Sequence, residues 1–311
     1  MPIQEGENQA RPLPPALDRL ARSAFRVPNL EPVPGWTFGQ WNRKDPLAWV
    51  RRSICRVARA RSYDGPVTTS WYLGQRFHHY LSGDMSQCTY VDARYEPNEM
   101  YAMSTLISRG MCVVDVGANA GVFTLLAASL VGPGGAVHAF EPSPRDRERL
   151  VANLAINGLT HAHVHPQALG RVTGKAMLAV AGAEHPGHNT IGGFAYGADA
   201  PAYSLEVDVT RLDEFAETEK LTRLDLLKID VEGSETAVLQ GARESLRRFR
   251  PAILVEAYDP ALRQLGTSAA ELLQLLRDSG YELRVFGPSG RPEPLVGGEL
   301  TGVNLLCLPR P

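Results

Sequence analysis

Val113-Val114-Asp115-Val116-Gly117-Ala118-Asn119-Ala120-Gly121-Val122-Phe123-Thr124 is the stretch on which the reading of this chain turns. An apolar run, a tight turn and the start of an apolar helix follow one another. Gly117 and Gly121 let the backbone turn sharply and approach a ligand with no Cβ in the way. A helix starting here leaves free N–H groups facing that ligand. Glu141 follows the next apolar run, where a carboxylate accepts hydrogen bonds from both hydroxyls of a ribose.

Outward from this turn, short apolar runs alternate with amphipathic segments, the signature of a parallel α/β sheet. The runs are 111–116, 136–140, 161–165, 224–229, 252–256, 281–286 and 303–308. Helical patterns lie at 98–108, 121–130, 144–157, 235–249 and 268–279. Only a loop separates the last two runs, so they are expected to pair as an antiparallel hairpin at one edge. The expectation is α/β: a Rossmann-like, mostly parallel seven-stranded sheet of class I methyltransferase architecture with a C-terminal antiparallel hairpin, over residues 96–311. Residues 171–219 form an insertion with two further short strands, 176–180 and 204–209, above the strand ends where substrate contacts gather.

Two cofactors use such a turn. A dinucleotide requires GxGxxG so that its pyrophosphate rests on the backbone. Here Asn119 replaces the second glycine, Val122 holds the third position, and Asp115 would repel a pyrophosphate. Asp115 can instead help place the ammonium of a methionine moiety. The pattern favours S-adenosylmethionine over NAD.

With Glu141-Pro142 in register after the second run, the block Leu227-Lys228-Ile229-Asp230-Val231-Glu232-Gly233-Ser234-Glu235, together with Gln167-Ala168-Leu169-Gly170 and Arg211-Leu212-Asp213-Glu214-Phe215, resembles the FkbM family of methyltransferases. Tyr95-Glu96-Pro97 also fits. The resemblance is close over about residues 90–260 and loose in the final hairpin. It implies S-adenosylmethionine-dependent methylation, mostly of hydroxyls in small natural products or sugars, with some N-methylating members. It also implies that Asp115, Gly117, Asn119 and Gly121, with Phe123 beside them, cradle the methionine end of the cofactor. Glu141 would hold the ribose, Pro142 and Ser143 would line the same side, and Gln167 and Ala168 would border the adenine.

Methyl transfer to a hydroxyl needs alignment and removal of a proton. Lys228, Asp230 and Glu232 alternate along the fourth strand, so they share a face if it persists. Glu256 ends the neighbouring strand. Asp230 or Glu256 can act as the base, with Asp230 also near the cofactor and Lys228 pairing with the acids. The acids can instead bind a divalent cation; this reading stands second, because the acids are few and no second ligand motif is visible. The bland reading is a buried Lys–carboxylate network, with Glu235 opening the next helix. His188, in the His185–Asn189 loop of the insertion, is a third candidate base, since histidine titrates near neutrality. Asn189 beside it matches an Asn that family members carry. His161, His163 and His165 would share one strand face, read as packed or solvated because no carboxylate or cysteine completes a metal set.

The 311 residues have room for this domain and an extension, and a net charge of −2 asks for no nucleic acid. Cys55, Cys88, Cys112 and Cys307 form no CxxC pair, and no run approaches a membrane span, so the expectation is a reduced, cytoplasmic protein. Residues 1–45 read as a Pro-rich arm unable to hold regular structure for long, ordered where Phe25, Trp36 or Trp41 pack. Residues 46–95 read as a helical extension, with Leu47, Val50, Ile54 and Val57 inward and Arg51, Arg52, Arg56 and Arg59 over the rest. A lid over the substrate cleft is favoured, a homodimer contact being the other role. Competing with a small-molecule O-methyltransferase are an N-methyltransferase on an amide or amine, an NAD-dependent oxidoreductase and a non-catalytic cofactor-binding scaffold.

Overall fold

The computed structural model describes residues 13–36, 45–83, 85–182, 189–192, 201–296 and 304–311. The N-terminal part comprises helices α1 (Pro15–Ser23) and α2 (Pro46–Ala60), the hairpin β1 (Pro66–Ser70)–β2 (Arg76–Tyr80), a single π-turn at Gln87–Val91 and helix α3 (Pro97–Leu106). The α/β part follows as β3 (Cys112–Val116), α4 (Val122–Val131), β4 (Ala136–Phe140), α5 (Pro144–Ala155) and β5 (Ala162–His165). β6 (Ala168–Leu169) leads into the insertion, which supplies β7 (Gly174–Val180), β8 (Thr190–Ile191), β9 (Tyr203–Thr210) and α6 (Leu212–Thr218). The chain then forms β10 (Leu226–Ile229), α7 (Glu235–Gln240), α8 (Arg243–Phe249), β11 (Ala252–Glu256), α9 (Asp259–Gln264), α10 (Ala269–Asp278), β12 (Tyr281–Phe286), β13 (Pro292–Pro294) and β14 (Asn304–Pro309).

The main sheet runs β13-β12-β14-β11-β10-β3-β4-β5. β5, β4, β3, β10 and β11 are parallel neighbours, and β14 inserts antiparallel between β11 and β12. β13 adds one strand beyond the seven expected, a three-residue edge against β12. β3 and β10 are buried along their whole length, as central strands covered on both faces must be. The insertion's strands and the preceding β6 form a separate sheet, β6-β9-β7-β8.

Three expectations change in the N-terminal part. The arm holds a nine-residue helix, α1, because Pro15 sits in its first turn, where a missing N–H costs nothing. Residues 46–95 are not all helical: β1 and β2 form a hairpin whose Val67, Thr69, Phe77 and His79 point inward. The buried face of α2 is Ala48, Arg51, Ile54 and Ala58, so one arginine lies in the core. Arg51 is fully buried and satisfied: Nε donates to Val91 O at 2.9 Å, Nη1 to Ala24 O at 2.9 Å, and Nη2 reaches Asp45. Phe25, Trp71, Phe77, His79 and Tyr90 pack on one another as an aromatic cluster, with Arg51 Cζ 5.9 Å from the Phe25 ring centre.

This extension explains α4, which is apolar all round. One face packs on β3 and β4, the other on α3 and the turn at Tyr72–Gly74, where Gln75 Nε2 donates to Leu125 O at 2.9 Å. The helix expected at 235–249 breaks into α7 and α8 at Gly241, where a Cβ would stand 2.0 Å from Gly170 O. The three alternating histidines also divide. His163 and His165 pack with His138, whose Nδ1 lies 3.2 Å from His165 Nε2, while His161 places Nε2 2.8 Å from Ala128 O on α4.

Candidate active site

The sharp turn after β3 is built as its residues require. Gly117 has φ +78°, and a Cβ there would sit 1.8 Å from Asp230 O, so no other residue fits between the ends of β3 and β10. The glycine therefore serves strand closeness as well as the turn. Gly121 caps α4 at φ +91°, with Leu150 Cδ1 2.5 Å from where a Cβ would stand. Asn119 adopts the left-handed conformation at φ 48°, tolerated better by Asn than by most residues.

Above these ends lies a cavity of about 650 Å³, in the size range of small-molecule sites. Gly117, Asn119, Phe123, Glu141, Pro142 and Ala168 line it, as do Lys228, Asp230 and Glu256. The other named residues stand behind it. Asp115 is fully buried, accepting from Thr124 Oγ1 at 2.6 Å. Ser143 caps α5 and bonds Asp146, while Gln167 is half-buried outside the cavity wall. His188 lies outside the described residues.

At the β4 end of the cavity, Glu141 is held by two backbone donors, Asn119 N–H at 2.8 Å and Ser143 N–H at 2.8 Å. Burial, with Asp146 nearby, pushes its carboxyl up to about 8 against those bonds. The apolar side chains of Leu169, Leu178 and Ile191 lie on the same wall. Asn189 also lines it, accepting from Ala181 N–H at 3.0 Å and donating to Asp146 at 2.8 Å.

At the other end, Lys228 is almost fully buried, with Nζ 3.1 Å from Asp230 Oδ2, 3.5 Å from Asp115 Oδ1 and 4.9 Å from the Phe123 ring centre. Burial would lower its ammonium, but attraction from Asp230, Asp115 and Glu96 outweighs this and holds it above the usual lysine range. One oxygen each from Asp230, Glu232 and Glu256 lie within 4.8 Å of one another. Glu256 is pushed well above the usual carboxylate range by burial and by the charges of Asp230, Glu232, Glu235 and Glu96. Glu235 does more than open α7: its Oε1 accepts from Val231 N–H and Gly233 N–H, both at 3.1 Å, fixing the loop that presents Glu232. Glu232 itself is left-handed at φ 55°, a conformation that marks strained sites.

Sequence spacing did not assign several wall residues. Trp36, Met85, Tyr95 and Glu96 come from the N-terminal part, and Tyr258 and Asn304 from the far end of the sheet. Glu96, left-handed at φ 38°, is pushed well up by burial and by Glu99 and Asp230. The dipeptide Glu96-Pro97 opening α3 was the visible signal.

The doubly wound sheet and the cavity at its strand ends are those of a class I S-adenosylmethionine-dependent methyltransferase. A family model of the methyltransferase FkbM domain matches residues 115–283, more than half of the chain. The chain belongs to the FkbM family of methyltransferases and is an S-adenosylmethionine-dependent enzyme. Methyltransferase 1 of Beauveria bassiana (strain ARSEF 2860) is 28% identical over 202 residues, 59% of this chain and 77% of that protein. The 31-O-demethyl-FK506 methyltransferase FkbM of Streptomyces tacrolimicus is 30% identical over 205 residues, 55% of this chain and 73% of that protein. The crystal structure of a methyltransferase FkbM from Methylobacillus flagellatus KT is 16% identical, covering 71% of this chain and 52% of that one, with a TM-score of 0.40. No described helix is long and apolar enough to cross a membrane.

Proposed function

We propose that this enzyme methylates a hydroxyl group of a small molecule. The observation that carries the reading is the meeting of Asp230, Glu232 and Glu256 within 4.8 Å at the ends of β10 and β11. A hydroxyl acceptor must lose its proton, and a carboxylate of raised affinity for protons is the better base. Glu256 ends β11 on the cavity wall beside Asp230 and Glu232, which makes it the candidate base. The name of the Streptomyces tacrolimicus relative, which specifies an O-demethyl acceptor, supports the same chemistry.

The residues fit an S-adenosylmethionine molecule. Glu141, preset by two amide donors, offers its outer lone pairs to ribose hydroxyls. Ala168, Leu178 and Ile191 give an apolar seat for adenine beside Pro142. Gly117, Asn119 and Asp230 border the methionine end, and Asp115 acts from behind through Lys228. The bound cofactor supplies an electrophilic methyl group. Lys228 fixes Asp230 at the cavity wall, Glu256 takes the hydroxyl proton, and Trp36, Met85 and Tyr95 cover the acceptor side as the N-terminal extension's contribution.

Incubation with methyl-labelled S-adenosylmethionine and paired acceptors bearing either a hydroxyl or an amine tests this. The label is expected on oxygen, and Glu256→Gln is expected to lower kcat while keeping cofactor affinity. Label found only on nitrogen would replace O-methylation with the N-methyl reading.

A further inference from the structure

We infer that Glu99, with Glu96 beside it, recognises an ammonium group carried by the acceptor, apart from the hydroxyl that is methylated. Glu99 lies in the first turn of α3, is only 5% exposed and lines the cavity. Its Oε1 accepts from Asn304 Nδ2 at 3.1 Å, which fixes the carboxyl group. Its Oε2 has no hydrogen-bond partner among the described residues. Buried carboxylate oxygens are normally satisfied, so an open one on a cavity wall marks the place of a ligand's donor. The helix N-terminus accounts for a carboxylate here but leaves that oxygen open.

The surroundings make the donor a cation. Glu96 and Glu99 stand three positions apart at the start of α3, where like charges face each other and repel. Burial raises both carboxyls, and the charge of Glu99 raises Glu96 further. Among the described residues neither has an ion-pair partner, because Lys228, the cation of this wall, is held by Asp115 and Asp230. A neutral hydroxyl supplies one donor and leaves the charge in place. An ammonium supplies three donors and the balancing charge. Aromatic rings complete the setting. Burial, and then the charges of Glu96, Asp230 and Glu232, push the Tyr95 hydroxyl well up, which places Tyr95 among these acids. With Trp36 it lines the same cavity, and ring faces attract an ammonium.

The reach of the acceptor follows from the sheet. Asn304 is the strand partner of Glu256. Glu99 is therefore separated from the candidate base by one strand spacing, about 4.5–5.5 Å between paired Cα atoms, and one hydrogen bond. A short amino alcohol spans that interval, with its hydroxyl at Glu256 and its ammonium at Glu99. This placement rests on the O-methylation reading, although ammonium binding itself does not.

The test is saturation-transfer NMR of the full-length protein saturated with S-adenosylhomocysteine, titrated with 3-aminopropan-1-ol. The neutral control is 1,3-propanediol and the anionic control 3-hydroxypropanoate. The amine is expected to bind about tenfold or more tightly than the diol, as a hydrogen bond to a charged group implies, and the acid least of all. Glu99→Gln is expected to bring the amine down to the level of the diol while S-adenosylhomocysteine still binds, which shows that the variant is folded. Equal binding of amine and diol by wild type, or no binding of the amine, overturns the inference. So does a preference for the amine that survives in Glu99→Gln but is lost in Glu256→Gln, since the ammonium then sits at the base. With methyl-labelled S-adenosylmethionine, label on the oxygen of a probe that shows no dependence on Glu99 removes the ammonium site and leaves O-methylation standing. Label only on nitrogen, with binding still lost in Glu99→Gln, does the reverse.

Discussion

Replacing Lys228 with Met tests how the site is held. The ammonium lies between Asp115 and Asp230, at 3.5 and 3.1 Å, with side-chain exposures of 5% for the lysine, 0% for Asp115 and 23% for Asp230. Asp230 faces the cavity and can be solvated, so losing Lys228 there costs little. Asp115 cannot. Its Oδ2 keeps Thr124, but Oδ1 has no hydrogen bond and relies on the lysine's charge. Breaking a buried pair by removing one partner costs about 3–5 kcal/mol, whereas replacing both partners is often neutral. Lys228→Met is therefore expected to lower unfolding free energy by about 3–5 kcal/mol in urea titrations at neutral pH, and the double variant Asp115→Asn/Lys228→Met by clearly less. A single variant within about 1 kcal/mol of wild type, or a double variant as unstable as the two singles summed, would refute the argument that Asp115 depends on this cation.

Further outcomes follow from the same geometry. Gly117→Ala places a Cβ 1.8 Å from Asp230 O at φ +78°, so it is expected to cost about 3 kcal/mol or more in urea unfolding and to abolish S-adenosylhomocysteine binding. Glu141, raised from 4.5 to about 8, holds in the folded chain a proton that the unfolded chain releases earlier, so its contribution to stability falls as pH rises through that window. Glu141→Gln is expected to flatten the loss of stability between these values, and a slope identical to wild type would remove Glu141 as its source. Arg51→Met leaves the Val91 and Ala24 carbonyls without their donor and Asp45 without its partner, with an expected loss of about 3–5 kcal/mol by thermal or urea unfolding.

What was legible in the sequence was what local pattern encodes. β3 and β10 read as strands because both faces are buried and, apart from Asp115 and Lys228, their residues are apolar. The turn at Gly117–Gly121 was visible because only glycine survives beside Asp230 O and Leu150. The hairpin β1–β2 was missed because its inward set includes Thr69 and His79, polar residues that pair with each other at 2.8 Å and so escape a hydrophobic pattern. α9 is too short, at six residues, to show a helical period. In the site, the expected strand face stops early: β10 ends at Ile229, so Lys228 stands on the strand while Asp230 and the left-handed Glu232 reach the cavity from the loop beyond it. Trp36, Glu96 and Asn304 reach the same cavity from segments far apart in the chain, and no spacing encodes that convergence.

The most direct test of the central claim is calorimetric titration of the purified protein with S-adenosylhomocysteine, with NAD as control and Glu141→Ala as the second protein. Binding of S-adenosylhomocysteine at one site per chain, greatly weakened in the variant, with no heat from NAD, is the predicted result. Binding of NAD at this site, or no binding of S-adenosylhomocysteine with or without Ca2+, would contradict it.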